Sequence, residues 1–291
     1  MAPQGRPRRV RIGDLLAKKE LGEPIVQLAV TNYRDAVVAD RIGVDIVTAS
    51  DVAVVTVLGR EDTLSATLDE MCLIGRAVAT GVRRALRIVA MPYWTFHVSP
   101  AQAVDNAGRL IQATGADALE LEVNRNHAAA VQAIVAAGIP VQAHIGLSGH
   151  RIPQLGGVRG IGKTATEAVQ YVEDAELLVE AGAFSLICEL LSTELTEHLA
   201  KNLPVPVVSL GSGWLGDGVS VVSEDLFGLY EEHVPRHARV YEQLIPRVEK
   251  GMSEYVADVR SRHYPGPEHS IAMPTEERRR FTTAVTRRAK G

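Results

Sequence analysis

The stretch ADALELEVNRNHAAAVQAIVAAGIPVQAHIGL, residues 116–147, decides the fold. Two short apolar runs inside it, 118–123 and 140–145, bracket a helical stretch at 128–137 that stops at Gly138. A glycine just past a helix and just before a strand is the turn that closes a βα unit. Working outward, the same punctuation repeats. Runs rich in β-branched residues occur at 25–31, 45–50, 86–91, 184–190 and 205–210, with a weaker eighth at 219–222. They are almost continuously apolar, as parallel strands covered on both faces must be. Between them, 64–80 carries apolar residues at helical spacing. Ser99 and Pro100 cap and open a helix that Gly115 ends, and the stretch 164–181 stops at Gly182. Seven or eight such units in about 200 residues predict an α/β fold, a (β/α)8 TIM barrel with flanking N- and C-terminal helices. An open doubly wound sheet would place a Gly-rich phosphate loop after its first strand, where this chain reads TNYRD (31–35).

The predicted organisation is a basic tail over 1–10, a barrel catalytic domain over 11–261, and a partly disordered extension over 262–291. The segment 11–21 reads as a helix closing the barrel bottom, and 244–259 as a late helix outside the barrel. The arginine clusters of the extension read as a solvated tail. Among the 291 residues the formal net charge is -4, which argues against a general nucleic-acid binder. No apolar run reaches the roughly 18 residues of a membrane span. The start, MAPQGRPRRVR, lacks the apolar segment of a secretory signal. Cys72 and Cys188 sit in apolar surroundings and form no C-x-x-C pair, so both read as free thiols of a reducing, cytoplasmic compartment.

In such barrels the chemistry lies at the C-terminal ends of the strands. Four runs carry ionisable residues there. Asp51 follows the second, Glu120 and Glu122 lie two apart on one face of the fourth, His144 is near the end of the fifth, and Glu189 near the end of the sixth. Carboxylates inside apolar strands are costly unless paired, protonated or metal-bound. Taken singly, each has a structural reading: Asp51 as a turn cap, Glu120 facing a helix, His144 as a satisfied core histidine. Convergence of all of them on one rim favours a site.

Several stretches, in order, resemble ketopantoate hydroxymethyltransferase. They are GVDIVTASDVAVVTVLG (43–59), TLDEMCLIGRAVATG (67–81), MPYWTFHVSPAQAVDNAGRLIQATGADALELE (91–122), AGIPVQAHIGL (137–147), PQLGGVRGIGK (153–163) and VEAGAFSLICELL (179–191). The resemblance runs from about residue 11 to 264. It implies the barrel of the phosphoenolpyruvate mutase/isocitrate lyase group and an aldol-type transfer of a one-carbon unit from 5,10-methylenetetrahydrofolate to a 2-oxo acid. It also implies a divalent metal, usually Mg²⁺, a metal-stabilised enolate, and a homo-oligomer, since the family forms decamers. By position, Asp51 matches a metal-ligating aspartate, Glu122 the glutamate beside the metal, His144 the strand-five histidine, and Glu189 the base.

Other positions depart from the family. Val52 replaces a serine and Glu120 a lysine, both of which bind the substrate carboxylate. Ala90 replaces the second metal aspartate. Arg34 lies near where the family has an aspartate. The departures predict that α-ketoisovalerate is not the acceptor, and they leave Glu120 as a stand-in metal ligand. Asp51, Glu120, Glu122 and Glu189 would then make four carboxylates without the lysine. Two like charges about 6 Å apart cost roughly 2–3 kcal/mol at an effective dielectric near 20. A divalent cation, a cationic ligand or raised pKa values must relieve them. Trp94, where the family has glycine, and Trp214 map to the same rim, either as fill for a narrowed pocket or as a platform stacking on a flat ligand. The substrate-contacting set is thus Val52, Ala90, Trp94 and Trp214. Three functions stay open: hydroxymethyl transfer to a non-standard acceptor, a C–C lyase or other enolate-forming enzyme without folate, and a catalytically degenerate ligand-binding paralogue.

Overall fold

The structure, a computed structural model, describes residues 8–229 and 236–288. Eight strands close a barrel in sequence order: β1 (Ile25–Val30), β2 (Ile46–Ala49), β3 (Leu86–Ala90), β4 (Ala118–Glu122), β5 (Val141–Gly146), β6 (Ser185–Glu189), β7 (Val207–Leu210) and β8 (Gly218–Val222). Every pairing is parallel, including β8 with β1. Helix α1 (Ile12–Leu21) precedes β1. The connections carry α2 (Tyr33–Ile42), α3 (Ala53–Thr56), α4 (Leu68–Gly81), α5 (Pro100–Thr114), α6 (Ala128–Ala136), α7 (Ile152–Leu155), α8 (Ala165–Glu180) and α9 (Thr193–Asn202), and α10 (Ser223–Phe227) follows β8. All eight strands fall on the predicted runs. Helix α4 starts later than the periodicity alone suggests. Thr67 and Glu70 form a capping box, each side chain bonding the other's backbone N–H, and this fixes the first turn.

One unit of the repeat is incomplete. Residues 211–217 join β7 to β8 without a helix, and β8 shares only two register pairs with β7. That is the physical content of the weak eighth run. A Cβ at Gly218 would lie 2.3 Å from the Ile25 carbonyl oxygen, so only glycine lets β8 approach β1 there.

The barrel interior is graded. Leu15 of α1 is fully buried and plugs the N-terminal end against Ile25, Ile46, Ile88 and Val208. Lys18 and Lys19 pin the plug through Asp45 (2.8 Å) and Asp217 (2.7 Å). Mid-barrel, Gln27 bonds Thr48 and Gln142 (2.9 Å each), and Gln142 bonds Ser185 (2.8 Å). This belt satisfies its buried amides without any net charge. The ionisable groups lie beyond it, toward the strands' C-terminal ends.

The chain divides into two compact units at Glu242/Gln243. The helix expected to end the barrel domain, α11 (Leu244–Ser261), thus falls in the second unit. The stretch 262–291, expected to be partly disordered, contains α12 (Thr275–Arg288). Glu276 pairs with Arg279 (2.9 Å) and Glu277 with Arg280 (3.0 Å), while Arg287 and Arg288 occupy the last turn. Acids at the start and bases at the end of a helix favour it, a pattern that composition alone hides. Of the basic tail, residues 1–7 lie outside the described residues, while Arg8 pairs with Asp14 (2.5 Å) and Arg9 with Asp117 (2.7 Å). Both cysteines are free thiols, and Cys188 is buried. Among the described residues no helix is long and apolar enough to cross a membrane.

Candidate active site

Parallel strands put alternate side chains inside the barrel. Glu120 and Glu122 both point inward from β4, and register sets Ala90 of β3 beside Glu120 and His144 of β5 beside Glu122. Glu189 closes β6 opposite Gly146. Asp51 follows β2 at the turn into α3 and is buried. The turn after β5 adds Ser148 and His150, both buried.

These groups form two linked arrays. In the first, His144 bridges two acids: Nδ1 lies 3.2 Å from Glu120 Oε1 and Nε2 lies 3.0 Å from Glu189 Oε2. In the second, His150 Nε2 is 3.1 Å from Asp51 Oδ2 and its Nδ1 is 3.6 Å from Glu122 Oε2. Glu122 also accepts hydrogen bonds from Ser148 Oγ and, at 2.8 Å, from the His150 backbone N–H. The four carboxylates, which the missing lysine leaves in need of relief, are thus not bare. Each has a histidine beside it, His150 for Asp51 and Glu122 and His144 for Glu120 and Glu189.

Burial opposes a charge on His144, but the hydrogen bonds and charges of Glu120 and Glu189 outweigh it and raise its pKa well above the ordinary imidazole value. His150 is raised too: burial opposes it, and the Glu122 charge and the Asp51 hydrogen bond prevail. Desolvation pushes Glu189 up, partly offset by His144. Desolvation likewise raises Asp51 against the pull of His150. Burial would also raise Glu122, but His150, His144 and its two hydrogen bonds hold it low. Asp225, a buried residue next to α10's Glu224, is pushed up to about 6 by desolvation and by the charges of Glu224 and Glu189.

A pH prediction follows from His144. A base whose folded pKa lies above its unfolded value stabilises the fold fully below about pH 6.5, and loses that contribution as pH rises through the folded value. His144 should therefore lose its second ring proton only well above the ordinary imidazole value. Nitrogen chemical shifts of the labelled ring check this, and a ring that is neutral at pH 7 would contradict it.

The remaining expected residues are placed as follows. Val52 is the half-buried N-cap of α3, and Ala90 is buried beside Glu120. Glu120 turns to His144 and does not join the acids around His150, because the nearer imidazole already satisfies it. Trp94 and Trp214 are 59% and 78% exposed, so neither fills a narrowed pocket. Trp94 has φ 66°, a left-handed backbone that suits glycine, the residue the family carries there. Its ring stacks on His97 at 6.0 Å and 20°, within an aromatic wall of Tyr93, Phe96, His97 and His127 beside His150. Desolvation holds His97 down at about 4, so it is neutral near pH 7, and its buried Nδ1 has no hydrogen-bond partner.

Sequence reasoning missed Ser148, His150, His97 and Asp225. The signal for His150 was available: SGH directly follows HIGL, at the C-terminal end of the fifth strand.

A cation site is tested by its donors. Asp51, Glu122 and His150 each offer an atom within 4.8 Å of the other two, and His150 Nδ1 is a buried nitrogen without a hydrogen-bond partner. Two carboxylates and an unsatisfied imidazole fit a divalent cation.

Barrel, acids and histidines together define a (β/α)8 fold with a candidate site at the C-terminal mouth. The sequence profile of the ketopantoate hydroxymethyltransferase family matches residues 9–267. The chain belongs to that family, and it is an enzyme of the hydroxymethyltransferase type. A 3-methyl-2-oxobutanoate hydroxymethyltransferase from Chloroflexus aggregans is 40% identical over 269 residues, 92% of this chain and 96% of the relative. Another, from Oleidesulfovibrio alaskensis, is 35% identical over 98% of this chain and 99% of its own length. The barrel is also similar to that of a phosphonopyruvate hydrolase solved with oxalate and Mg²⁺ (TM-score 0.56, 16% identity, 96% of each chain covered). It resembles as well 2,3-dimethylmalate lyase, a member of the phosphoenolpyruvate mutase/isocitrate lyase superfamily (TM-score 0.55, 13% identity, 94% of this chain and 98% of that one). At these identities the likeness concerns the fold.

Proposed function

We propose that this chain transfers a hydroxymethyl unit from a one-carbon donor such as 5,10-methylenetetrahydrofolate to an acceptor other than α-ketoisovalerate, with Glu189 as the base. The observation that carries this reading is the hydrogen-bonded row Glu120–His144–Glu189 at the barrel mouth. Burial raises Glu189 toward neutrality, which suits a group that must take up a proton and release it. The adjacent His144 opposes that rise through its hydrogen bond and charge. Water opens the donor's N–CH2–N bridge, which releases tetrahydrofolate and leaves the one-carbon unit as formaldehyde; Glu189 takes the proton from the carbon next to the acceptor's carbonyl, that carbon attacks the formaldehyde carbon, and the protonated Glu189 returns its proton to the oxygen that becomes the new hydroxyl. Asp51, Glu122 and His150 would hold a divalent cation, which when bound supplies Lewis-acid polarisation of the acceptor carbonyl.

The choice of acceptor follows from what the site no longer offers. The family's carboxylate-binding serine and lysine are Val52 and Glu120 here. His144 does not substitute for them, because Glu120 and Glu189 use both of its ring nitrogens. An acceptor without a carboxylate at that place fits better than a 2-oxo acid. A charge-assisted hydrogen bond is worth about 1.5–3 kcal/mol, so two lost contacts correspond to on the order of 10³-fold in rate. Turnover of α-ketoisovalerate with methylenetetrahydrofolate is expected to fall that far below a family member carrying the serine and lysine, assayed in parallel. Comparable turnover would return the chain to the ordinary substrate.

A further inference from the structure

We infer that the cation site is a mixed nitrogen–oxygen site in which His150 takes the place of the ligand lost at Ala90, so that it selects a borderline transition ion such as Zn²⁺ or Co²⁺ over Mg²⁺. This rests on the reading that Asp51 and Glu122 hold a divalent cation, and it concerns which cation. Ala90 ends β3 buried and brings no donor atom to the mouth. The replacement comes from a different element, the turn after β5, where the His150 side chain is 1% exposed.

Three features set His150 up as a ligand. Its ring lies between the two acids, 3.1 Å from Asp51 and 3.6 Å from Glu122, and one buried nitrogen has no hydrogen-bond partner. Its own backbone N–H donates to Glu122 at 2.8 Å, and Ser148 Oγ donates to the same oxygen, so the turn that delivers the imidazole also orients the carboxylate. A Cβ at Gly149 would come within 2.8 Å of Thr63 Oγ1, so a larger residue would require the Thr63 side chain to move for the turn to keep this close approach.

The donor chemistry separates the ions. Mg²⁺ is a hard ion that takes oxygen ligands, dehydrates reluctantly and keeps several waters. Imidazole suits Zn²⁺ and its first-row neighbours. The rings of Tyr93, Phe96 and His97 lie 5.5, 6.3 and 6.2 Å from the His150 ring and pack around it.

Calorimetric titration of the chelator-treated full-length protein with Zn²⁺, Co²⁺, Mn²⁺ and Mg²⁺ tests this, run on wild type and His150→Gln. Transition ions out-bind Mg²⁺ at most sites, so the deciding result is how the variant changes each ion. Zn²⁺ and Co²⁺ affinities are expected to fall by about 10²-fold or more, with Mg²⁺ changed by no more than about threefold and with loss of the wild-type Co²⁺ visible bands. Pulsed electron paramagnetic resonance of the Mn²⁺-loaded wild type needs no variant and is expected to show coupling to one directly bound nitrogen. Equal losses for all four ions, or a Mn²⁺ signal without nitrogen coupling, would overturn the assignment of His150 and leave an oxygen-ligated cation standing. Absence of any stoichiometric cation binding by wild type would overturn both this inference and the cation reading beneath it.

Discussion

Replacing Glu189 by glutamine is expected to lower turnover on the true acceptor by about 10²–10⁴-fold, the usual contribution of a positioned general base. The change is nearly isosteric and leaves the β6 backbone in place. His144 keeps Glu120 as its partner at 3.2 Å, so the row loses its reactive end but not its support. The melting temperature should stay within a few degrees of wild type, while exchange of the acceptor's α-proton for deuterium, followed by proton NMR without the one-carbon donor, should stop. That exchange isolates proton abstraction from the later attack, so it distinguishes a lost base from a lost donor site. Wild-type exchange in the variant would require the enolate mechanism to be abandoned, and Asp225, which feels the Glu189 charge, would be the next residue to test.

Gly146→Ala is expected to destabilise the protein by about 3 kcal/mol or more. Gly146 has φ +102°, and a Cβ there would lie 2.2 Å from the Glu189 carbonyl oxygen and 2.9 Å from Leu191 Cδ2. The left-handed backbone by itself costs a non-glycine residue about 1–3 kcal/mol. Relief of the clash is also blocked, because the same Glu189 carbonyl accepts a hydrogen bond from the Leu147 N–H at 2.9 Å. The β5–β6 edge must therefore open, and it carries His144 on one side and Glu189 on the other. At about 2–4 °C per kcal/mol for a chain of this size, thermal unfolding should drop by about 6–12 °C. Activity should be lost in the fraction that still folds, because the His144–Glu189 contact depends on this register. A shift of less than about 2 °C would show that β5 and β6 are not joined this closely.

Both effects depend on contacts between strands, and here the limits of the sequence are plain. Hydrophobic runs of strand length, glycines after helices and the Ser99-Pro100 start are local signals, so the barrel and all eight strands were legible from them. The rim acids were legible too, since a carboxylate inside an apolar run is conspicuous wherever it occurs. Within 262–291 the charge spacing along α12, which composition does not carry, favours a helix.

What relieves the acids was decided only by the tertiary structure. Asp51 and His150 are 99 positions apart, and Glu120 is 24 positions from His144, yet each pair meets within about a hydrogen bond's length. No periodicity carries that information. Closing eight tilted strands brings the ends of β2, β4, β5 and β6 to one mouth, and register then sets which imidazole stands beside which carboxylate. Counted along the chain, the site looked like four bare anions. Folded, the same residues are two imidazoles each shared between two acids, because proximity and burial, which fix charge, exist only once the barrel is closed.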